Sequence, residues 1–276
     1  MGDYRQPTRL EEALDVLAKP YRVLAGGTDF YPARVGRPVD EDVLDISRIK
    51  ALGGISDTPW GWRLGATTTW SEILEADLPP LFDGLKQAAR EVGGRQIQNA
   101  GTLAGNLCNA SPAADGVPPL LALGAELELA SRDNVRRLAL SDFIIGNRRT
   151  RLSSGELVVA IHVPRPATFA RSSFLKLGAR RYLVISIVMA AATLEIAHDR
   201  VRAARVAVGA CSVVAQRLPM LEAALSGATI DARLAARVEP AHLAPLTPLD
   251  DVRGSAAYRL DAAVTLLRRL LAEFAP

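Results

Sequence analysis

Cysteine is nearly absent from this chain: Cys108 and Cys211 are the two it has. Two thiols cannot supply a four-thiolate iron-sulfur or zinc site, and no CxxC pair exists. Any metal centre this protein works with is therefore expected on another chain. Histidine is equally scarce, and His162, His198 and His242 stand far apart among apolar or turn residues, so each reads as structural or surface rather than catalytic. GxSxG, HExxH, GxxxxGKS/T and a GxGxxG after a strand are all missing, which removes the usual hydrolase, zinc-protease, NTPase and nicotinamide Rossmann fingerprints.

Lysine is confined to Lys19, Lys50, Lys86 and Lys176, and the other basic side chains are arginines. Arginine pairs such as Arg136 with Arg137 and Arg268 with Arg269 are scattered without interleaved aromatic residues. They read as solvated faces and partner contacts, and no nucleic-acid groove is expected. Long apolar runs are missing as well. The most apolar stretch, Leu183 to Ile196, is too short and interrupted to span a bilayer, and MGDYRQPTRLEEAL has no apolar signal region. The expectation is a cytoplasmic protein with free thiols and no membrane span.

What remains is a chain of 276 residues, 49% hydrophobic and 23% charged, with a formal net charge of +3. That composition supports a sizeable core, and the length suggests two domains. Thr8 with Glu11 makes a capping-box pattern ahead of Leu10, Ala13, Leu14 and Leu17, which recur at helical spacing. Val23 to Ala25 then reads as a short strand broken by Gly26 and Gly27. Strands are expected at Val43 to Ile46, Gly54 to Ile55, Trp62 to Leu64, Glu126 to Ala130 and Leu157 to Val163. Thr69 with Glu72 caps a short helix, a helix from Pro79 is stopped by Gly93 and Gly94, and Pro118 to Leu123 is helical.

Composition shifts near Pro164 to Pro166, taken as the boundary between a domain over 1–166 and one over 167–276. Beyond it, Phe174 to Leu177, Ile185 to Ile196 and Val201 to Cys211 read as strands, the last two joined at His198 and Asp199 as a hairpin. Three helical patterns follow, ending with Ala256 to Phe274. The fold class is α+β: a first domain of a small βαβ-like unit plus a mixed sheet with helices, then an antiparallel sheet packed by helices.

Two glycine turns carry the chemistry. The first is AGGTDFYP, where Ala25, Gly26, Gly27, Thr28 and Asp29 end a strand; the second is GTLAGN, where Thr102, Gly105 and Asn106 follow a helix. Glycine allows close backbone approach and positive φ, so consecutive N–H groups can converge on an anion. Two such turns can grip the two phosphates of a dinucleotide from different sides, and ordinary tight turns are the competing reading.

The combination AGGTD, VGGRQIQNAGTLAGNLCNASPAAD, PPLLALGA, GATTTWSEI, ELVVAIHVP, FLKLGARRYLVIS and RGSAAYR resembles the FAD-binding medium subunit of the molybdenum hydroxylases, the xanthine dehydrogenase, carbon monoxide dehydrogenase and 4-hydroxybenzoyl-CoA reductase family. The likeness covers nearly the whole chain. It implies non-covalent FAD, with Ala25 to Asp29 around the pyrophosphate and ribitol and Thr102 to Asn106 closing from the other side. It further implies that Asp115 bonds the cofactor, a backbone group at Val158 touches the flavin side, Lys176 lies near the isoalloxazine ring, and Tyr182 sits by the ring face. Val92 stands where some relatives carry a stacking aromatic. Residues alone leave Asp115 open as a helix cap and Lys176 as a solvated strand residue. Cys108 is read as a small buried or half-buried residue, with no base nearby to activate it.

The resemblance also implies partners: a small 2Fe-2S subunit and a large molybdopterin subunit, in a heterotrimer that can dimerise. The chain would be an oxidoreductase subunit passing electrons between the partner's clusters and an external acceptor or donor, with no catalytic residue of its own. Two cysteines rule out the extra 4Fe-4S cluster that some benzoyl-CoA-type relatives carry here. Two other readings are a self-contained flavin oxidase of the vanillyl-alcohol-oxidase type, disfavoured by the lack of a histidine near either glycine turn, and a non-catalytic nucleotide-binding scaffold.

Overall fold

The computed structural model describes residues 2–275. The chain opens with β1 (Tyr4–Arg5), α1 (Leu10–Val16), β2 (Arg22–Leu24) and β3 (Val43–Asp45), which form a parallel sheet in the order β1-β3-β2. The Thr8 capping box does not form. Arg9 is the N-cap of α1 without a side-chain bond, because the Glu11 carboxylate turns to the Arg9 guanidinium at 3.4 Å instead of reaching back.

Next come β4 (Ile55–Thr58), β5 (Gly61–Gly65), α2 (Trp70–Glu75), α3 (Asp83–Glu91), α4 (Arg95–Ala100), α5 (Leu103–Asn109), α6 (Val117–Ala122), β6 (Glu126–Ala130) and β7 (Val135–Ala139). They are followed by α7 (Leu140–Phe143), the small hairpin β8 (Ile144–Gly146) with β9 (Arg149–Thr150), and β10 (Leu157–Pro164). A five-stranded antiparallel sheet runs β4-β5-β10-β6-β7. Its central strand β10 is apolar almost throughout because it is covered on both faces. Val158, Ile161 and Val163 join the core with the helices, whereas Leu157 and Val159 pack with Ala13, Leu14, Leu17 and Leu44 of the N-terminal unit. The Thr69–Glu72 capping box does form at α2. The helix expected from Pro79 begins as a single 3-10 turn, Pro80–Phe82, and becomes α3 at Asp83.

The second half holds β11 (Phe169–Gly178), β12 (Ser186–Ala197), β13 (Arg200–Gly209) and β14 (Gln216–Arg217), an antiparallel sheet in that order, then α8 (Pro219–Leu225) and α9 (Ala256–Ala272). His198 and Asp199 both take positive φ, 51° and 57°, as a two-residue hairpin turn with right-handed strand twist demands. The first ten residues of β12 are all buried, because α9 and α8 cover one face of the sheet while α3 and α6 of the first half cover the other. The sheet is thus a layer between helices on both sides, and contact between the halves is made by small side chains such as Ala88, Ala122 and Ala191.

Candidate functional site

At the end of β2 the chain enters Ala25-Gly26-Gly27-Thr28-Asp29. Gly27 adopts φ 72°, and the turn is closed from behind by Tyr31 N–H donating to the Gly27 carbonyl at 3.1 Å and Ala33 N–H to the Asp29 carbonyl at 3.3 Å. Among the described residues, the N–H groups of Gly26, Gly27, Thr28 and Asp29 donate to no other group of the chain. Four consecutive half-buried or exposed donors left open form a backbone concavity that favours an anion.

This turn meets the second glycine segment directly. A Cβ on Gly26 would lie 1.7 Å from the carbonyl oxygen of Ala100, and one on Gly101 would lie 3.4 Å from Thr28 Oγ1. The two stretches are therefore one structure, held in contact through a glycine of each, Gly26 and Gly101.

The conformation of the second stretch differs from the expected turn. Thr102 is the N-cap of α5, its Oγ1 accepting from Gly105 N–H at 3.1 Å, and Gly105 lies inside the helix. Gly105 is suited to this place because a Cβ there would stand 2.7 Å from that hydroxyl. The remaining first-turn donors are also used: Leu103 N–H bonds the Thr68 carbonyl at 2.9 Å and Ala104 N–H the Ala66 carbonyl at 3.4 Å. So α5 is satisfied from within, and the open donors belong to the first turn alone. Asn106 Oδ1 accepts from Gly116 N–H at 3.2 Å, fixing the exit of the Ser111–Asp115 turn. Beneath all of this stands Trp70, 1% exposed, against which Gly101 and Gly116 both pack.

Asp115 is buried, with Lys176 Nζ donating to Oδ2 at 2.6 Å and Ser186 Oγ donating to Oδ1 at 2.6 Å. Gly116, not Asp115, is the N-cap of α6, so the carboxylate reaches across to the second half instead of capping a helix. Burial pushes the Asp115 carboxyl above its ordinary range, and Lys176 and Ser186 oppose that rise. The Lys176 side chain is 5% exposed and not a solvated strand residue.

Tyr182 lies apart, exposed in the loop between β11 and β12 with the Arg181 guanidinium 5.1 Å from its ring centre. That loop and the end of α3 bound a cleft of about 280 Å³ lined by Glu91, Lys176, Leu177, Gly178, Arg180 and Arg181. Val158 has its side chain in the first core, which leaves only its backbone for contact with a ligand. Val92 ends α3, half-buried against the same core.

Cys108 is exposed on α5, contrary to the expected burial, because its position falls on the helix side away from core residues Leu103 and Leu107. The histidines have structural roles: His162 pairs with Glu128 at 2.6 Å, and His242 Nδ1 accepts from Glu239 N–H. Among the described residues no cluster of histidine, cysteine and carboxylate side chains could hold a metal. Likewise no helix among them is long and apolar enough to cross a membrane. Sequence reasoning gave no role to Ser186, Trp70 or the Ala66 to Thr68 carbonyls, although GATTTWSEI and FLKLGARRYLVIS, the segments that contain them, carried the resemblance.

An α+β chain with a glycine turn of open N–H donors, packed on the segment that leads into a capped helix, offers a phosphorylated ligand a cradle made of backbone. The comparisons identify which one. A family model for the FAD binding domain in molybdopterin dehydrogenase matches residues 1–166, and one for the CO dehydrogenase flavoprotein C-terminal domain matches residues 173–274. The chain belongs to this family: it is an FAD-binding oxidoreductase subunit of the molybdenum hydroxylase type. It is 27% identical over 279 residues to the xanthine dehydrogenase FAD-binding subunit of Escherichia coli, covering 99% of this chain and 95% of the relative. It is 28% identical over 276 residues to the carbon monoxide dehydrogenase medium chain of Afipia carboxidovorans, covering 97% and 94%. A chain of quinoline 2-oxidoreductase from Pseudomonas putida superposes with a TM-score of 0.88 at 30% identity, over 99% of this chain and 96% of that one.

Proposed function

We propose that this chain is the electron-transfer subunit of a complex, its FAD exchanging electrons between 2Fe-2S clusters on a small partner and an external acceptor or donor. A large partner carries molybdopterin and the substrate, the three chains forming a heterotrimer that can dimerise. The observation that carries this reading is the run of open N–H donors from Gly26 to Asp29, packed on Ala100 and Gly101.

The residues fit the cofactor. The backbone of Ala25, Gly26, Gly27, Thr28 and Asp29 would hold the pyrophosphate, because four uncommitted donors there match its anionic oxygens. Thr102, Gly105 and Asn106 would bear on it through the surface of α5, and Val158 through its backbone. Asp115 and Lys176 would border the ring from the buried pair, with Tyr182 at the loop edge. Bound FAD supplies the redox chemistry, since a flavin accepts electrons singly or in pairs. The chain's part is to bind, orient and electrostatically bias that group.

No acid-base dyad or activated nucleophile is required of this chain, which agrees with the scattered histidines and unpaired thiols. The same reading divides the chain into an FAD-binding domain over 1–166 and a C-terminal domain over 167–276, and the limits of the two family models support it. Purifying the tagged chain from its native cells tests the proposal. Co-purification of two further subunits, with flavin and 2Fe-2S spectra, is expected. A chain that purifies alone and reduces substrate by itself would contradict it.

A further inference from the structure

One carboxylate holds both roots of a surface loop. Lys176, two residues before the end of β11, bonds Asp115 Oδ2, and Ser186, the first residue of β12, bonds Oδ1. Between them runs the segment 177–185, with Tyr182, Leu183 and Ile185 exposed. The strand ladder cannot set this loop unaided, because the β11–β12 register slips between Leu177 and Gly178. Leu183 sits at φ 53°, a conformation a branched side chain adopts only when its surroundings impose it. Within the loop, Arg180 donates to the Leu183 carbonyl; outside it, the Leu183 side chain approaches Gly94 in the first half. Ser186 is 2% exposed, so its bond to Asp115 is made away from water.

We propose that Asp115 and Ser186 are positioning residues that fix the 177–185 loop from the other half of the chain, tying it to the Ser111–Asp115 turn. Both carboxylate oxygens are engaged, one on each root, so the loop cannot swing on either root without leaving a buried charge underbonded. The loop carries Arg180 and Arg181 on the wall of the cleft beside Lys176, so its pose sets where those two cations stand. In this way the turn that follows α5 dictates the geometry of the cleft some sixty residues further along the chain. The inference rests on the reading above only in taking this cleft as the flavin's surroundings.

Limited trypsin digestion of the full FAD-loaded chain tests it, with cleavage after Arg180 and Arg181 followed by mass spectrometry and flavin content measured on the same samples. Ser186→Ala releases one root and leaves the ion pair of Lys176 with Asp115 in place. Cleavage in the loop is expected to be on the order of tenfold faster in this variant, as for losing one hydrogen bond to a charged group, while cleavage at Arg202 in β13 stays unchanged. Wild-type loop cleavage rates in Ser186→Ala would overturn the proposal, and so would equal acceleration at every site. A chain that takes up no flavin yet shows loop-specific acceleration would defeat the FAD reading and leave this one standing.

Discussion

Gly26 lies against the backbone of Ala100 so closely that a single added methyl group would stand 1.7 Å from the carbonyl oxygen. This contact joins the two glycine segments, and both sides of it are backbone. Gly26→Ala must therefore push apart β2 and the α4–α5 junction, with no flexible side chain to absorb the change. We expect a loss of at least ~3 kcal/mol, the upper end of overpacking costs, together with loss of flavin. Urea unfolding and the flavin absorbance of the same preparation check both.

Thr102 offers a milder perturbation of the same place. Removing its hydroxyl leaves Gly105 N–H without an acceptor at the start of α5. Thr102→Ala is expected to cost about 1 kcal/mol, and Thr102→Ser to restore most of it, as read from urea midpoints.

The buried pair of Asp115 and Lys176 is expected to behave as a unit. Lys176→Met should cost about 3–5 kcal/mol by leaving the carboxylate buried with Ser186 alone, whereas adding Asp115→Asn to that variant should cost much less than Asp115→Asn by itself. A double-mutant cycle in urea measures the coupling.

Acid stability has a separate source. Glu156, held by the Arg136 fork and by Ser153 N–H, has its carboxyl pushed down to about 2 from an ordinary 4.5. A depressed carboxyl contributes stability that is whole above the unfolded value and is lost as pH falls from 4.5 through 2. With Arg136 about a third exposed, solvent screening leaves on the order of 1 kcal/mol. Glu156→Gln should flatten that part of the stability curve between pH 5 and pH 2, as measured by thermal unfolding against pH.

Much of the architecture was legible because its signals are local. The Thr69–Glu72 cap, the His198–Asp199 hairpin and the stop at Gly93 depend on neighbours in sequence, and all three form. The Thr8 cap failed because Glu11 had a nearer partner in Arg9. Helix α5 was hidden because Gly101, Gly105 and Asn106 look like turn residues, and only the carbonyls of Ala66 and Thr68, brought from an earlier loop, make a helix favourable there. Asp115 pairs with groups more than sixty residues away, so no local pattern could distinguish a helix cap from a tie between the halves. Family likeness named both residues without revealing that they meet, and it gave no role to Ser186.

The central claim is that the glycine turn after β2 holds FAD, and Gly27 tests it most directly. Its φ of 72° suits glycine, and a Cβ there would press on the Tyr31 ring, so Gly27→Val disturbs the cradle while leaving the cores intact. The measurement is the visible spectrum of wild-type and variant chains after incubation with FAD and desalting, alongside circular dichroism. The prediction is a yellow wild-type protein and a folded, colourless variant. A folded variant that retains the wild-type flavin band would contradict the account.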